Sequence, residues 1–157
     1  MRQSIVRSLA NIISENFVAG SLDYSTNVYG NVFSRNMHFA DVKEYPTITV
    51  SAGPERYEYH PAGLIWADMT AYIRIYESDP ETVEEKLEKA IVDIKKLLAL
   101  HDNIPYTVQS PGELPTPEVA YTTETTLLET TTDEGLLKPL GVAEVTINIR
   151  YSQPRFL

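Results

Sequence analysis

The clearest hydrophobic rhythm in the chain runs from Leu64 to Leu100 and changes period once, at Ser78-Asp79-Pro80. Before that break the odd positions Ile65, Ala67, Met69, Ala71, Ile73 and Ile75 are all apolar, the alternation of a strand with one face on a core. The even positions Leu64, Trp66, Asp68, Thr70, Tyr72, Arg74 and Tyr76 form a second, mixed face. Trp, Tyr and Arg are frequent interface anchors, so this face suits a surface that another protein covers. It suits equally a surface that supports loops of the same chain. After the break Val83, Leu87, Ala90, Ile91, Ile94, Leu97 and Leu98 recur three or four apart, which predicts an amphipathic helix. Asp79 is placed to cap it and Pro80 to occupy a first-turn position, where its missing N–H is harmless. Glu81, Glu84 and Glu85 sit at the positive end of the dipole and Lys95 and Lys96 at the negative end, with Glu85 and Lys89 one turn apart.

The remaining elements are shorter. Arg2 to Val18 reads as a helix with Ile5, Leu9, Ile12, Ile13 and Phe17 on one stripe and Gly20 beyond its end. From Ser21 to Tyr45 periodicity disappears into Asn, Ser, Tyr and Asp, with Tyr24, Tyr29, Phe33, Met37 and Phe39 scattered through it. A loop of that length with that many aromatics is expected to meet a partner. Thr47–Ser51 reads as a strand, Ala52-Gly53-Pro54 as a turn, and Glu55–Tyr59 as a strand pairing back before a second turn at His60–Gly63. His101 to Thr116, with Pro105, Pro111, Gly112 and Pro115, reads as an irregular loop. Pro117 to Glu129 reads as a Thr-rich strand, Thr130 to Gly141 as a connector, and Val142 to Tyr151 as a closing strand with Ala143, Val145, Ile147, Ile149 and Tyr151 inward. The tail ends in the apolar pair Phe156-Leu157. The fold class expected is α+β: a mostly antiparallel sheet of four to five strands with two helices packed on one face, in one domain over 1–157.

Composition narrows the function. The chain has 157 residues, enough for a core, and no cysteine, which removes disulfides, thiolate metal sites and a Cys nucleophile. A net charge of −9 argues against a duplex-binding surface without forbidding DNA from passing close by. No run reaches membrane-spanning length and no apolar signal core follows Met1, so no membrane partner and a cytoplasmic site of assembly are expected. His38, His60 and His101 all fall in loops without metal-pair spacing. There is no Gly-rich phosphate loop and no serine elbow, and Asp133-Glu134 are neighbouring turn carboxylates and not a positioned acid–base pair. No cofactor, metal or catalytic residue is therefore assigned, and the protein is not expected to be an enzyme.

The order of elements, however, resembles a known family. The N-terminal helix, the strand start at Tyr45-Pro46, the Ile65–Ile75 strand and the Val83–Leu98 helix are similar to those of the tail terminator (tail completion, head-to-tail joining) proteins of long-tailed bacteriophages. So is the closing pattern Thr132-Asp133-Glu134-Gly135, Pro139-Leu140-Gly141-Val142-Ala143 and a strand ending in Tyr151. The resemblance implies a structural virion protein of the tail neck. It would form a homo-hexameric ring, cap the tail tube, end its polymerisation and meet a head completion or connector protein. DNA would pass through the lumen without specific binding. Trp66, Asp68, Tyr72, Arg74 and Tyr76 on the long strand, with Tyr29, Phe33 and Phe39 from the long loop, are then the candidate subunit or partner interface. Two alternatives stand beside this reading: another phage neck or tail assembly protein, or a small-molecule binding or enzymatic α+β domain with an aromatic pocket near Trp66.

Overall fold

The structure, a computed structural model, describes residues 1–108 and 118–154. The elements are α1 (Arg2–Asn16), β1 (Val32–Phe33), β2 (Thr47–His60), β3 (Leu64–Ser78), α2 (Val83–Leu100), β4 (Pro105–Val108), β5 (Glu118–Tyr121), β6 (Glu124–Thr132) and β7 (Leu140–Pro154). Five strands form one sheet in the order β1-β2-β3-β7-β6, antiparallel throughout except for the two-residue β1; β4 and β5 form a separate antiparallel pair. The predicted Pro111, Gly112 and Pro115 of the proline-rich loop, and the Phe156-Leu157 pair, lie outside the described residues.

β3 is the centre of the sheet. It pairs with β2 along one side, from Leu64 to Tyr76, and with β7 along the other, from Leu64 to Ser78. Its odd residues Ile65, Ala67, Met69, Ala71, Ile73 and Ile75 are buried with Ala143, Val145, Ile147, Ile149 and Tyr151 of β7. Both helices cover this face. α1 contributes Ile5, Val6, Leu9 and Ile13, and α2 contributes Leu87, Ala90, Ile91, Ile94, Leu97 and Leu98 to one continuous core. Each large side chain so buried contributes roughly 1.5–3 kcal/mol before conformational entropy is subtracted. The helix layer sits tight on the strands: a Cβ on Gly141 would lie 2.7 Å from Val83 Cγ2 and 2.8 Å from Leu87 Cδ1.

Four sequence expectations are corrected. First, there is no hairpin at Ala52-Gly53-Pro54. β2 runs through as one strand of 14 residues, and the extra residues are absorbed as a register slip between Ala52 and Glu55. Gly53 lies against the Tyr72 ring, where a Cβ would be 2.7 Å from Cε2, and its carbonyl accepts from the Arg2 guanidinium. Glycine here permits close approach rather than reversal, which occurs instead at 61–63, where Ala62 and Gly63 take φ of 71° and 77°. Second, Pro105 opens a strand, because β4 is an edge on which a missing N–H is tolerated. Third, the Thr-rich segment splits into β5 and β6, and β6 extends to Thr132. Fourth, α2 begins at Val83 and its Glu85 is not joined to Lys89. Asp79 caps the preceding turn, its Oδ1 accepting from the N–H groups of Glu81 (2.8 Å) and Thr82 (2.7 Å), while Lys86 Nζ lies 3.1 Å from Oδ2. Lys138 pairs instead with Glu84 at 3.1 Å.

The long segment between α1 and β2 is anchored on both sides of the sheet. On the helix side Tyr24 packs on Phe17, and Asp93 of α2, 5 % exposed, receives four hydrogen bonds on Oδ2. These come from Ser25 N (3.1 Å), Ser25 Oγ (3.0 Å), Thr26 N (2.8 Å) and Thr26 Oγ1 (2.5 Å). At the sheet edge Val32 and Phe33 pair with Ile48 and Thr49. On the far side Phe39 stands edge-on to Tyr76 at 5.0 Å and the Tyr76 hydroxyl donates to Met37 O at 2.8 Å.

Replacing Asp93 by Ala is expected to reduce unfolding free energy by about 2–4 kcal/mol, since it strips a buried charged acceptor from four donors. Asn, which keeps one oxygen acceptor, should lose less; urea denaturation of both variants checks the order. Two carboxyls give stability an opposed pH dependence. Backbone N–H groups of Thr82 and Glu81, together with Lys86, hold Asp79 well below the carboxylate range, so its contribution is present above its unfolded pKa of about 3.9 and fades as pH falls below that value. Glu77, 7 % exposed at the end of β3, is pushed up by burial. The folded state then binds its proton more tightly than the unfolded state, and stability falls as pH rises through that window. Glu77→Gln is therefore expected to be more stable than wild type at pH 7, with the gain vanishing in acid, as thermal melts across pH would read.

Candidate functional site

The sheet face opposite the helices is built from the even residues of β3 and β7 and their neighbours on β2 and β6. Because β3 and β7 pair without a slip, side chains of the two strands stand directly opposite each other and form ladders. At one end Asp68 lies opposite Arg150 and Trp66 opposite Ser152. The Arg150 guanidinium lies 4.9 Å over the Trp66 ring, and its Nη2 lies 3.3 Å from Glu58 Oε2 and its Nη1 3.9 Å from Asp68 Oδ2. Asn148 Nδ2 donates to Asp68 Oδ1 at 3.1 Å, and the His60 ring meets Trp66 edge-on at 6.2 Å. Further along, Arg74 Nε donates to Glu144 Oε2 at 2.6 Å and its Nη1 to Asn36 Oδ1 at 2.8 Å, while the guanidinium lies 6.0 Å from the Tyr72 ring. Hydrogen bonding to Glu144 holds the guanidinium above its ordinary pKa.

Of the eight residues singled out from sequence, the strand brings Trp66, Asp68, Tyr72 and Arg74 together on this face, each half-buried. Tyr76 shares their phase but is 4 % exposed, because Met37 and Phe39 of the long segment lie over it. Burial also raises its hydroxyl pKa. Phe39 is thus a cover for Tyr76, and Phe33 is half-buried in β1 with Arg35 5.7 Å over its ring. Tyr29, 72 % exposed, stands apart from the row and has positive φ of 51°. One end of the mixed face thus supports the chain's own segment, while the end around Trp66 carries the contacts to Arg150 and His60.

Sequence reasoning missed the partners across the sheet. Glu144, Asn148 and Arg150 read simply as the outward phase of the closing strand, yet Glu144 pairs with Arg74, and Asn148 and Arg150 with Asp68, while Glu58 of β2 joins Arg150. The alternation of β7 was visible; the register that sets Arg150 opposite Asp68 was not. Below the face, on the core side, the Tyr151 hydroxyl is hydrogen-bonded to Glu55, and burial with that carboxylate pushes it far above the phenol range. The hydroxyl is the donor in this bond. Trp66 lies beneath the Arg150 guanidinium and meets the His60 ring edge-on.

Comparison with known proteins agrees with the order of elements. Residues 1–157 match the family described as Bacteriophage Tail Tube Terminator Protein. The chain is 34 % identical over 155 residues to the tail tube terminator protein p142 of Escherichia phage T5, covering 98 % of this chain and 95 % of that one. Its fold is similar to a chain in the virion of a native gene transfer agent particle, with a TM-score of 0.56 at 11 % identity, covering 96 % and 98 % of the two chains. The chain belongs to the bacteriophage tail tube terminator family, structural proteins of the virion tail.

Proposed function

We infer that the protein closes the tail tube as a homo-hexameric ring, one axial side meeting the last ring of tube protein and the other a head completion or connector protein. The observation that carries this reading is the family match over the whole chain. The geometry supports it further. The open end of the outer face, with Trp66, Asp68 and Tyr72, combines aromatic area with charges already paired to Arg150 and Asn148. Such a surface can be covered by a partner without stranding an uncompensated charge. A net charge of −9 lets DNA slide through a lumen without tight phosphate contacts. Tail capping is a structural task, and the side chains on this face act by shape and pairing, with no role in bond making.

Light scattering against concentration, with negative-stain images of the same fractions, should show closed six-membered rings with a central hole. A monomer at every concentration, with or without added tail tubes, would remove the ring. Trp66→Ala is the variant that isolates the outer face. It removes the open aromatic, whereas any change at Arg74 would also break its bonds to Glu144 and Asn36. It gives up the contacts of Trp66 to Arg150 and His60, so a modest fall in melting temperature is expected with the fold retained, together with loss of binding to tube ends. Normal capping by a stably folded Trp66→Ala protein would exclude this face from tube recognition.

A further inference from the structure

Given the six-membered ring inferred above, we propose how its subunits join: the turn between β6 and β7 of one copy, with Leu136 at its tip, seats in a hollow beside β1 of the next copy.

The turn is built to hold its shape. The Asp133 carboxylate accepts from the N–H groups of Leu137 at 3.1 Å and Val142 at 3.3 Å, and the Leu136 N–H donates to the Asp133 carbonyl at 3.1 Å. Glu134 and Gly135 both take positive φ, 55° and 79°. The turn is also tied to its surroundings, since Lys138 lies 3.1 Å from Glu84 of α2 and the Pro139 carbonyl accepts from Asp79 N at 2.9 Å. On this frame Leu136 is 85 % exposed and Leu137 44 %. An aliphatic side chain held out in water adds nothing to its own core. To a partner it offers apolar surface whose backbone is already ordered. The Glu134 carboxylate beside it is exposed and makes no ion pair among the described residues. Glu85 and Glu88 of α2, next to the turn, are likewise exposed and unpaired there.

The opposite edge of the sheet carries the complement. A hollow of about 400 Å³ lies between β1 and the segment leading into β2, with Phe33, Met37 and Val42 in its walls. Arg35 and Lys43 line it as well, both exposed and neither in an ion pair among the described residues. Asp41 and Glu44 stand on the same rim, so it holds both signs, as does a turn that bears Glu134 and Lys138 around its apolar tip. The unpaired groups are opposite in sign: carboxylates at the turn and cations at the hollow.

Register sets the two surfaces at one level. Val32 of β1 stands opposite Ile48, Ile48 opposite Ile75, Ile75 opposite Ala143 and Ala143 opposite Thr132, a single row from edge to edge. At one end of that row the chain passes through Thr132 into the turn. At the other, Phe33 follows Val32 and Thr47 precedes Ile48, and both line the hollow. Copies set side by side in one orientation therefore bring the turn of one to the hollow of the next. Different surfaces meet, which is the head-to-tail contact that closes into rings. The occupant of the hollow is a second copy of this chain.

The test uses the full chain. Leu136→Asp should melt close to wild type, since the side chain is mostly in water, and should raise the concentration for half-maximal ring formation roughly tenfold or more in light scattering. Rings formed by Leu136→Asp at the wild-type concentration would overturn the contact and leave the ring itself standing. If those rings no longer capped tubes, the turn would belong to the tube protein. Wild-type protein that forms no ring at any concentration, with or without tail tubes, would overturn both. A second pair of variants reads the contact through charge. Glu134→Lys and Lys43→Glu should each weaken ring formation by like-charge contact. An equimolar mixture should restore it, since the two can alternate around six positions with opposite charges at every contact. A mixture no better than its parts would rule out this pairing of surfaces.

Discussion

The rest of this structure depends on β3 being held on both sides, by β7 without a slip from Leu64 to Ser78 and by β2 from Leu64 to Tyr76. A strand held that way cannot slip. A shift of one residue would turn Ile65, Met69, Ile73 and Ile75 out and bring Asp68 and Arg74 into the core. With β3 fixed, the phase of β2 and β7 follows, and with them the two faces of the sheet. One face is covered by α1 and α2 over a single core. The break at Ser78-Asp79-Pro80 then returns the chain directly onto that face, where Gly141 allows Val83 and Leu87 to rest on the β7 backbone.

That hierarchy explains what the sequence made legible. The strand–helix unit, the inward phase of β7 and the α+β class follow from local periodicity, and local periodicity is strong in Leu64–Leu100. The errors fall where the same residues serve two backbones. Ala52-Gly53-Pro54 has turn chemistry, but Arg2, 51 positions away along the chain, and the Tyr72 ring decide that the strand continues. Pro105 looks like a breaker until β5 supplies a partner on one side only. The candidate surface was half legible for a related reason. The row Trp66, Asp68, Tyr72 and Arg74 lies on one strand and could be read directly. Its counterparts Glu58, Asn148 and Arg150 belong to other strands, and no short-range pattern encodes cross-strand register.

The outer face also shows how a small acidic protein carries its cations. Arg74 is tied to Glu144 of β7, and Arg150 to Asp68 of β3 and Glu58 of β2, so these charges stand in pairs and not as lone ions. The aromatics beside them add area with little side-chain entropy to lose. Ladders across three hydrogen-bonded strands hold the row in place.

The segment between α1 and β2 starts in the helix layer at Asp93, rounds the edge at β1 and finishes on the outer face at Tyr76. Its anchors are far from it in sequence: Asp93 lies 67 positions beyond Thr26, and Tyr76 lies 39 beyond Met37. Both anchors follow the strap along the chain, so closing it spans long loops whose entropy cost local pairing does not carry. The segment is therefore a strap tied by residues outside itself: it owes its shape to the helix layer and the sheet it joins, and a change at Asp93 or Tyr76 would be felt in a stretch of chain far from either.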